Sequence, residues 1–144
     1  VWRLAVAGSL LVVGIWFLVD ALIVTDAERV EDEVARLVDL ARTGGPEAAE
    51  EILAALADDY RGDGPFSRER IEGSVRRYVA EERLDQLLTG GYTAVPMGDE
   101  VVVPILSLRA RLKGAEARVV LRVHFAERDG RFRITDVQQW RLER

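Results

Sequence analysis

The sequence predicts an α+β domain set behind a single membrane-spanning helix. Three observations lead there. The stretch "LAVAGSLLVVGIWFLVDALIV" at 4–24 contains one ionisable residue, Asp20. From position 25 to about 90, apolar residues recur at the helical period between glycine and proline stops. From Ile105 onward the period falls to two, with apolar and mostly basic residues alternating toward the end of the chain.

The first stretch has the dimensions of a bilayer. Twenty-one helical residues span about 32 Å at about 1.5 Å each, against a hydrocarbon layer of roughly 30 Å. Large apolar residues fall all round the helical wheel and leave no polar stripe for water. Asp20 lies near the far end, within reach of the headgroups, and Trp2 stands at the near interface. A cleaved signal peptide has a shorter apolar run and a small-x-small site, which Val19-Asp20-Ala21 does not supply. The expectation is therefore a retained anchor at 1–24, with the bilayer as partner through 4–24, and a domain at 25–144. Arg3 ahead of the span favours a cytoplasmic N-terminal tail, which puts the domain on the extracytoplasmic side. Val1 is not a methionine, so the natural start of the chain stays open.

Beyond the anchor about 120 residues remain, enough to bury a core without metal or disulfide staples. Cysteine is absent, which excludes disulfides, thiol catalysis and thiolate metal sites. Charge is unevenly divided. Residues 26–100 carry 19 acidic and 9 basic side chains, whereas 101–144 carry 5 acidic and 10 basic. An acidic helical part thus precedes a basic strand-rich part, and the overall net charge of −5 argues against a dedicated nucleic-acid binder.

The helices follow in order. Thr25 with Glu28 reads as a capping box, and Val30, Val34, Leu37, Val38 and Ala41 form one apolar face until Gly44-Gly45. Pro46 suits the first turn of a second helix with Ala49, Ile52, Leu53 and Leu56 inward. That helix ends near "ADDYRGDGPF". Ser67 caps a third, with Ile71, Val75, Tyr78 and Val79 on its inner face and Leu84, Leu87 and Leu88 continuing it or following a break. In "YTAVPMGDEVVVP" the ends are strand-like, but Pro96 and Pro104 oppose central pairing.

In the strands, Leu106, Leu108, Ala110 and Leu112 share a face, as do Val119, Leu121, Val123 and Phe125. Asp129-Gly130 is a hairpin turn signal. After it, strict alternation puts Phe132, Ile134, Asp136, Gln138, Trp140 and Leu142 inward.

Together with "ILAALADDYRGDG", "SRERIEGSVRRYV" and "ERDGRFRITDVQQW", this pattern resembles the NTF2-like superfamily, its SnoaL-like branch in particular, over about 26–142. The resemblance implies three helices packed on a curved, largely antiparallel sheet, a cone with an internal cleft. That superfamily contains isomerases, dehydratases, small-molecule binders and protein-binding modules, so the fold selects no activity.

The candidate residues follow from the alternation. Asp136 and Gln138 interrupt an apolar strand face, where an acid can exchange a proton with a ligand and an amide can orient it. Trp140 supplies a flat wall and Tyr60, after Asp58-Asp59, the cleft mouth. These four are the ligand-binding candidates, with Asp136 the one catalytic candidate. No His-Asp catalytic arrangement is legible, and His124, the sole histidine, falls by parity on the opposite face. That face also carries Arg109, Arg111, Arg118, Arg122 and Arg133, a surface for an acidic protein partner or a second copy. The aromatic interleaving of a nucleic-acid platform is missing. "GDG" at 62–64 has no phosphate-loop pattern, and neither a metal nor a cofactor is expected. The sequence therefore points to a membrane-anchored, non-enzymatic interaction or small-ligand-binding domain. The alternative is a small isomerase or dehydratase working through Asp136 on an apolar substrate.

Overall fold

A computed structural model describes residues 2–22 and 25–139, with 19–22 given by backbone alone. The first helix, α1, runs over Trp2–Leu22, and every described side chain in it, from Trp2 to Leu18, is exposed. Among the described residues, no helix is long and apolar enough to cross a membrane. The α1 backbone continues to Leu22, 21 residues in all, but the membrane-spanning helix expected from the sequence is not among the helices found.

The domain begins with α2 at Asp26–Thr43. The Thr25 hydroxyl accepts from the Glu28 N–H at 3.2 Å, as the capping spacing predicts. Val30, Val34 and Val38 are its buried ridge. Gly44, at φ 69, ends it in a conformation that glycine adopts without a Cβ penalty. Pro46 opens α3 at Pro46–Ala54, and Ser67 caps α4 at Arg68–Val75, which continues into a wider π-type turn at Arg76–Glu81. The helix stops there, with Arg83 in the left-handed region at φ 57. Leu87 and Leu88 therefore do not prolong the helix. They lie in the first strand, a correction to their helical reading.

Five strands form one sheet: β1 Gln86–Thr89, β2 Val95–Met97, β3 Glu100–Leu112, β4 Ala115–Arg128 and β5 Arg131–Gln139. All pairings are antiparallel, in the order β1-β3-β4-β5, with β2 also paired to β3. Pro96 sits in the short edge strand β2, and Pro104 falls where the β3–β4 register shifts, between Val103 and Leu106. Both prolines thus occupy positions where no ladder bond is lost. The core lies between α2 and one sheet face: Val30, Val34 and Val38 meet Val101, Val103, Leu106, Val123, Phe125 and Val137. A second small cluster, Ala48, Ala49 and Val79, joins α3 to the π-type turn.

A second register shift, between His124 and Phe125 on β4, decides the chemistry of β5. Phe125 pairs with Ile134 but His124 pairs with Asp136, leaving Thr135 as the extra residue of a bulge. Beyond it the parity reverses, so Val137, opposite Val123, faces the core. Asp136 and Gln138 consequently turn to the face away from α2, and strict alternation mispredicts them. Trp140, Arg141 and Leu142 lie outside the described residues.

Candidate functional site

The bulge gathers polar side chains on the outer sheet face. Thr135, 0% exposed, and Asp136, 8% exposed, are the buried polar residues of the described chain. The Thr135 hydroxyl donates to the Glu100 carboxylate at 2.6 Å, with the His124 carbonyl at 3.3 Å as the weaker alternative acceptor. Arg61 donates to both oxygens of Glu100, at 2.9 and 3.1 Å, and its Nε lies 3.8 Å from Asp136. Gln138 Nε2 donates to Asp136 at 2.9 Å. Arg61 is placed by its own backbone, whose N–H bonds the Thr135 carbonyl at 2.9 Å and so stitches the 57–61 segment to the bulge.

Electrostatics follow from those contacts. The Thr135 hydroxyl, then Arg61, hold the Glu100 carboxyl below its usual range. Glu100 in turn raises the Arg61 guanidinium. His124 lies on the same face as Asp136, not the opposite one. Its Nδ1 is 3.9 Å from Glu100 and, among the described residues, buried without a hydrogen-bond partner. Alternation missed Glu100, Thr135 and Arg61 altogether. The β-branched threonine followed by an acid in an otherwise alternating strand was the one available signal of a bulge.

Tyr60 is partly buried. Its hydroxyl donates to the Phe66 carbonyl at 2.6 Å and closes the loop between α3 and α4. Burial, then the charge of Asp136, push its pKa up to about 12. Gly62 makes room for the ring, since a Cβ there would lie 2.6 Å from the Phe66 carbonyl and overlap the phenol. Asp59 is paired with Arg128 at 2.8 Å.

The arginines of β3 and β4 do come together. Arg109 pairs directly opposite Arg118, and Arg111 opposite Glu116. Glu116 is the single acid among them, 2.9 Å from Arg109, 3.8 Å from Arg118 and 4.0 Å from Arg111. Arg122 is opposite Gln138, nearer the polar cluster. Arg133 leaves the group, donating to the Ala54 carbonyl at 2.9 Å.

Two shallow grooves, of about 320 and 310 Å³, adjoin one another between α2 and β5. They share Glu33, Arg36, Arg131 and Phe132, and neither lining includes Tyr60, Asp136 or Gln138. Their chemistry is largely internal: Arg36 is held by Glu33 at 2.6 Å, and Arg29 stacks over Phe132 at 4.8 Å. Among the described residues, no group of three or more histidine, aspartate or glutamate side chains is placed to hold a metal ion.

With α2 against one face of a bulged antiparallel sheet, and α3 and α4 packed beside α2 and the π-type turn rather than on the sheet as expected, the class defined is the NTF2-like fold. Solved structures agree on this. An NTF2-like protein with a cystatin-like fold from Novosphingobium aromaticivorans superposes with a TM-score of 0.56 at 17% identity, over 90% of this chain and 86% of that one. A putative calcium/calmodulin dependent protein kinase II association domain from Xanthomonas campestris gives 0.55 at 18% identity, over 78% and 84%. A protein of unknown function with a cystatin-like fold from Nostoc punctiforme gives 0.54 at 14%, over 77% and 86%. At such identities the likeness is one of fold alone. No family model and no curated protein matches the chain.

Proposed function

We propose that the chain is a membrane-tethered, non-enzymatic interaction domain. In this reading α1 crosses the bilayer, and 25–144, of the SnoaL-like branch of the fold, is held on its extracytoplasmic side to bind a protein partner. The observation that carries the tether is the bare surface of α1. Leu10, Trp16 and Phe17 are 67%, 72% and 68% exposed, and the apolar residues around them are exposed as well, Val13 and Ile15 by about half. At about 1.5–3 kcal/mol for each large apolar side chain, keeping such a helix in water costs on the order of 20 kcal/mol. Acyl chains remove that cost.

Binding is favoured over catalysis by the state of Asp136. Gln138 and Arg61 occupy its carboxylate, and the grooves lie elsewhere. An isomerase or dehydratase needs the acid, a donor and a reachable substrate atom to converge. A small apolar ligand held by Tyr60, Asp136 and Gln138 meets the same objection, since Tyr60 spends its hydroxyl on Phe66.

Alkaline extraction of membranes from cells expressing the full chain tests the tether. The chain is expected in the pellet, and Leu11→Arg with Ile15→Arg shifts it to the supernatant, each charge costing about 2.5–3.5 kcal/mol at mid-bilayer. Release of the unaltered chain at high pH would falsify the anchor.

A further inference from the structure

We infer that the domain stands on the bilayer by its acidic end, which makes the arginine-bearing end of the sheet a docking surface for an acidic protein segment rather than for lipid. The inference rests on the tether proposed above. Only 23–25 separate Leu22 from Asp26, and four residue steps reach about 14 Å at most. The start of α2 is therefore held within about 14 Å of the end of α1, about two headgroup layers.

The fold fixes what else lies at that level. Arg29, in the first turns of α2, donates to the Gly130 carbonyl at 3.4 Å and pairs with Glu127 at 3.5 Å. The β4–β5 turn is thus membrane-proximal, and Arg128 brings Asp59 with it. At this end Asp26, Glu28, Asp59, Glu127 and Asp129 outnumber Arg29, Arg128 and Arg131. With α2 rising from the bilayer, as the inference has it, its other end is distal. There Arg42 donates to the Leu87 carbonyl at 2.8 Å, and Leu87 pairs with Ala110. Beta strand β4 connects the two ends through 14 residues, on the order of 45 Å of strand path at about 3.3 Å each.

At the distal end Asp85 accepts from the Lys113 N–H at 2.8 Å and Asp39 pairs with Arg42 at 3.2 Å, so the unbalanced charge is that of the arginine row itself. One carboxylate, Glu116, serves three guanidiniums, and Arg109 and Arg118 face each other across the ladder, an arrangement that destabilises a sheet. Arg118 is 69% exposed. The exposed Leu88, opposite Arg109, extends the row with an apolar contact. An acidic segment laid across this row neutralises the arginines and covers the leucine. In the upright orientation Arg118 stands ten residues of β4, about 33 Å, above Arg128, more than three Debye lengths from a lipid surface. A second copy is unsuitable too. Copies tethered in one leaflet stand with their acidic ends level, so the basic end of one does not meet the acidic end of the next.

The test uses the full chain in zwitterionic nanodiscs, titrated with a short fluorescent polyglutamate peptide. Binding is expected to weaken about tenfold or more in R109Q/R118Q and to be unchanged in R128Q. A raised melting temperature for R118Q, from relief of the like-charge pair, shows that the sheet is intact. The absence of cysteine allows single labels at Lys113→Cys and Asp129→Cys, expected in bulk water and at headgroup depth respectively. Peptide binding indifferent to R109Q/R118Q overturns the surface. So does arginine-dependent binding of phosphatidylglycerol vesicles, or pairing of chains within a disc that the same substitutions abolish. A Lys113→Cys label at headgroup depth overturns the orientation alone. Failure of the chain to enter the disc overturns the orientation with the tether, while titration of the free chain still decides the surface.

Discussion

Replacing Thr135 by valine removes one hydroxyl from a fully buried position and leaves the shape of the side chain. The lost bond is the 2.6 Å donation to Glu100. A hydrogen bond to a charged group contributes about 1.5–3 kcal/mol. Glu100 keeps Arg61 at 2.9 Å, and its side chain is 23% exposed, so water compensates in part. The expected destabilisation is about 1–2 kcal/mol, a fall in melting temperature of about 4–8 °C for a domain of this size. The pH dependence separates this bond from simple packing. The Glu100 pKa lies below its ordinary 4.5 in the fold, with Thr135 the largest cause. A carboxylate depressed in this way stabilises the fold above the unfolded pKa and loses that contribution as pH falls through the folded value. The gap between wild type and Thr135→Val is therefore full at neutral pH and narrows below the ordinary 4.5. Thermal unfolding followed by circular dichroism across that range reads both quantities. An equal gap at neutral and strongly acidic pH would mean that the methyl and hydroxyl differ only in packing, and the electrostatic account of the bulge would be refuted.

Two further substitutions probe the frame around the site. Gly62→Ala drives a Cβ into the Tyr60 phenol and is expected to cost about 1–3 kcal/mol by overpacking; Gly91→Ala, with nothing within 4 Å, is the matched control in chemical denaturation. Thr25→Ala removes the α2 cap and lowers stability by about 1 kcal/mol, whereas Thr25→Ser retains it; equal losses from the two would show that the hydroxyl is not the cap.

The helices were legible because their signals are local. Thr25, Pro46 and Ser67 satisfy backbone donors or fix backbone angles within a turn of themselves, and the three caps start helices where the spacing says. The arginine face was legible for a similar reason. Between Leu106 and Leu121 the ladder is regular, and period two survives into the structure. The site on β5 was not legible. Whether Asp136 faces the core depends on whether Thr135 is paired or bulged, and that is settled by β4 and by the 57–61 segment docking on the Thr135 carbonyl. One inserted residue turns every later side chain to the other face. Leu87 and Leu88 carry the same lesson, since a short apolar run suits helix and strand alike until β3 offers an edge.

The sequence by itself determined the apolar N-terminal helix, the helical caps, the antiparallel hairpins and the division of charge, because each is written in neighbours a few positions apart. Only tertiary structure decided that Arg61, Glu100, His124 and Asp136 meet on one face, and that the start of α2 meets the β4–β5 turn. Those outcomes join residues up to 101 positions apart, Arg29 to Gly130 at 3.4 Å and Arg61 to Asp136 at 3.8 Å, through a bulge and a packed helix that no local pattern encodes.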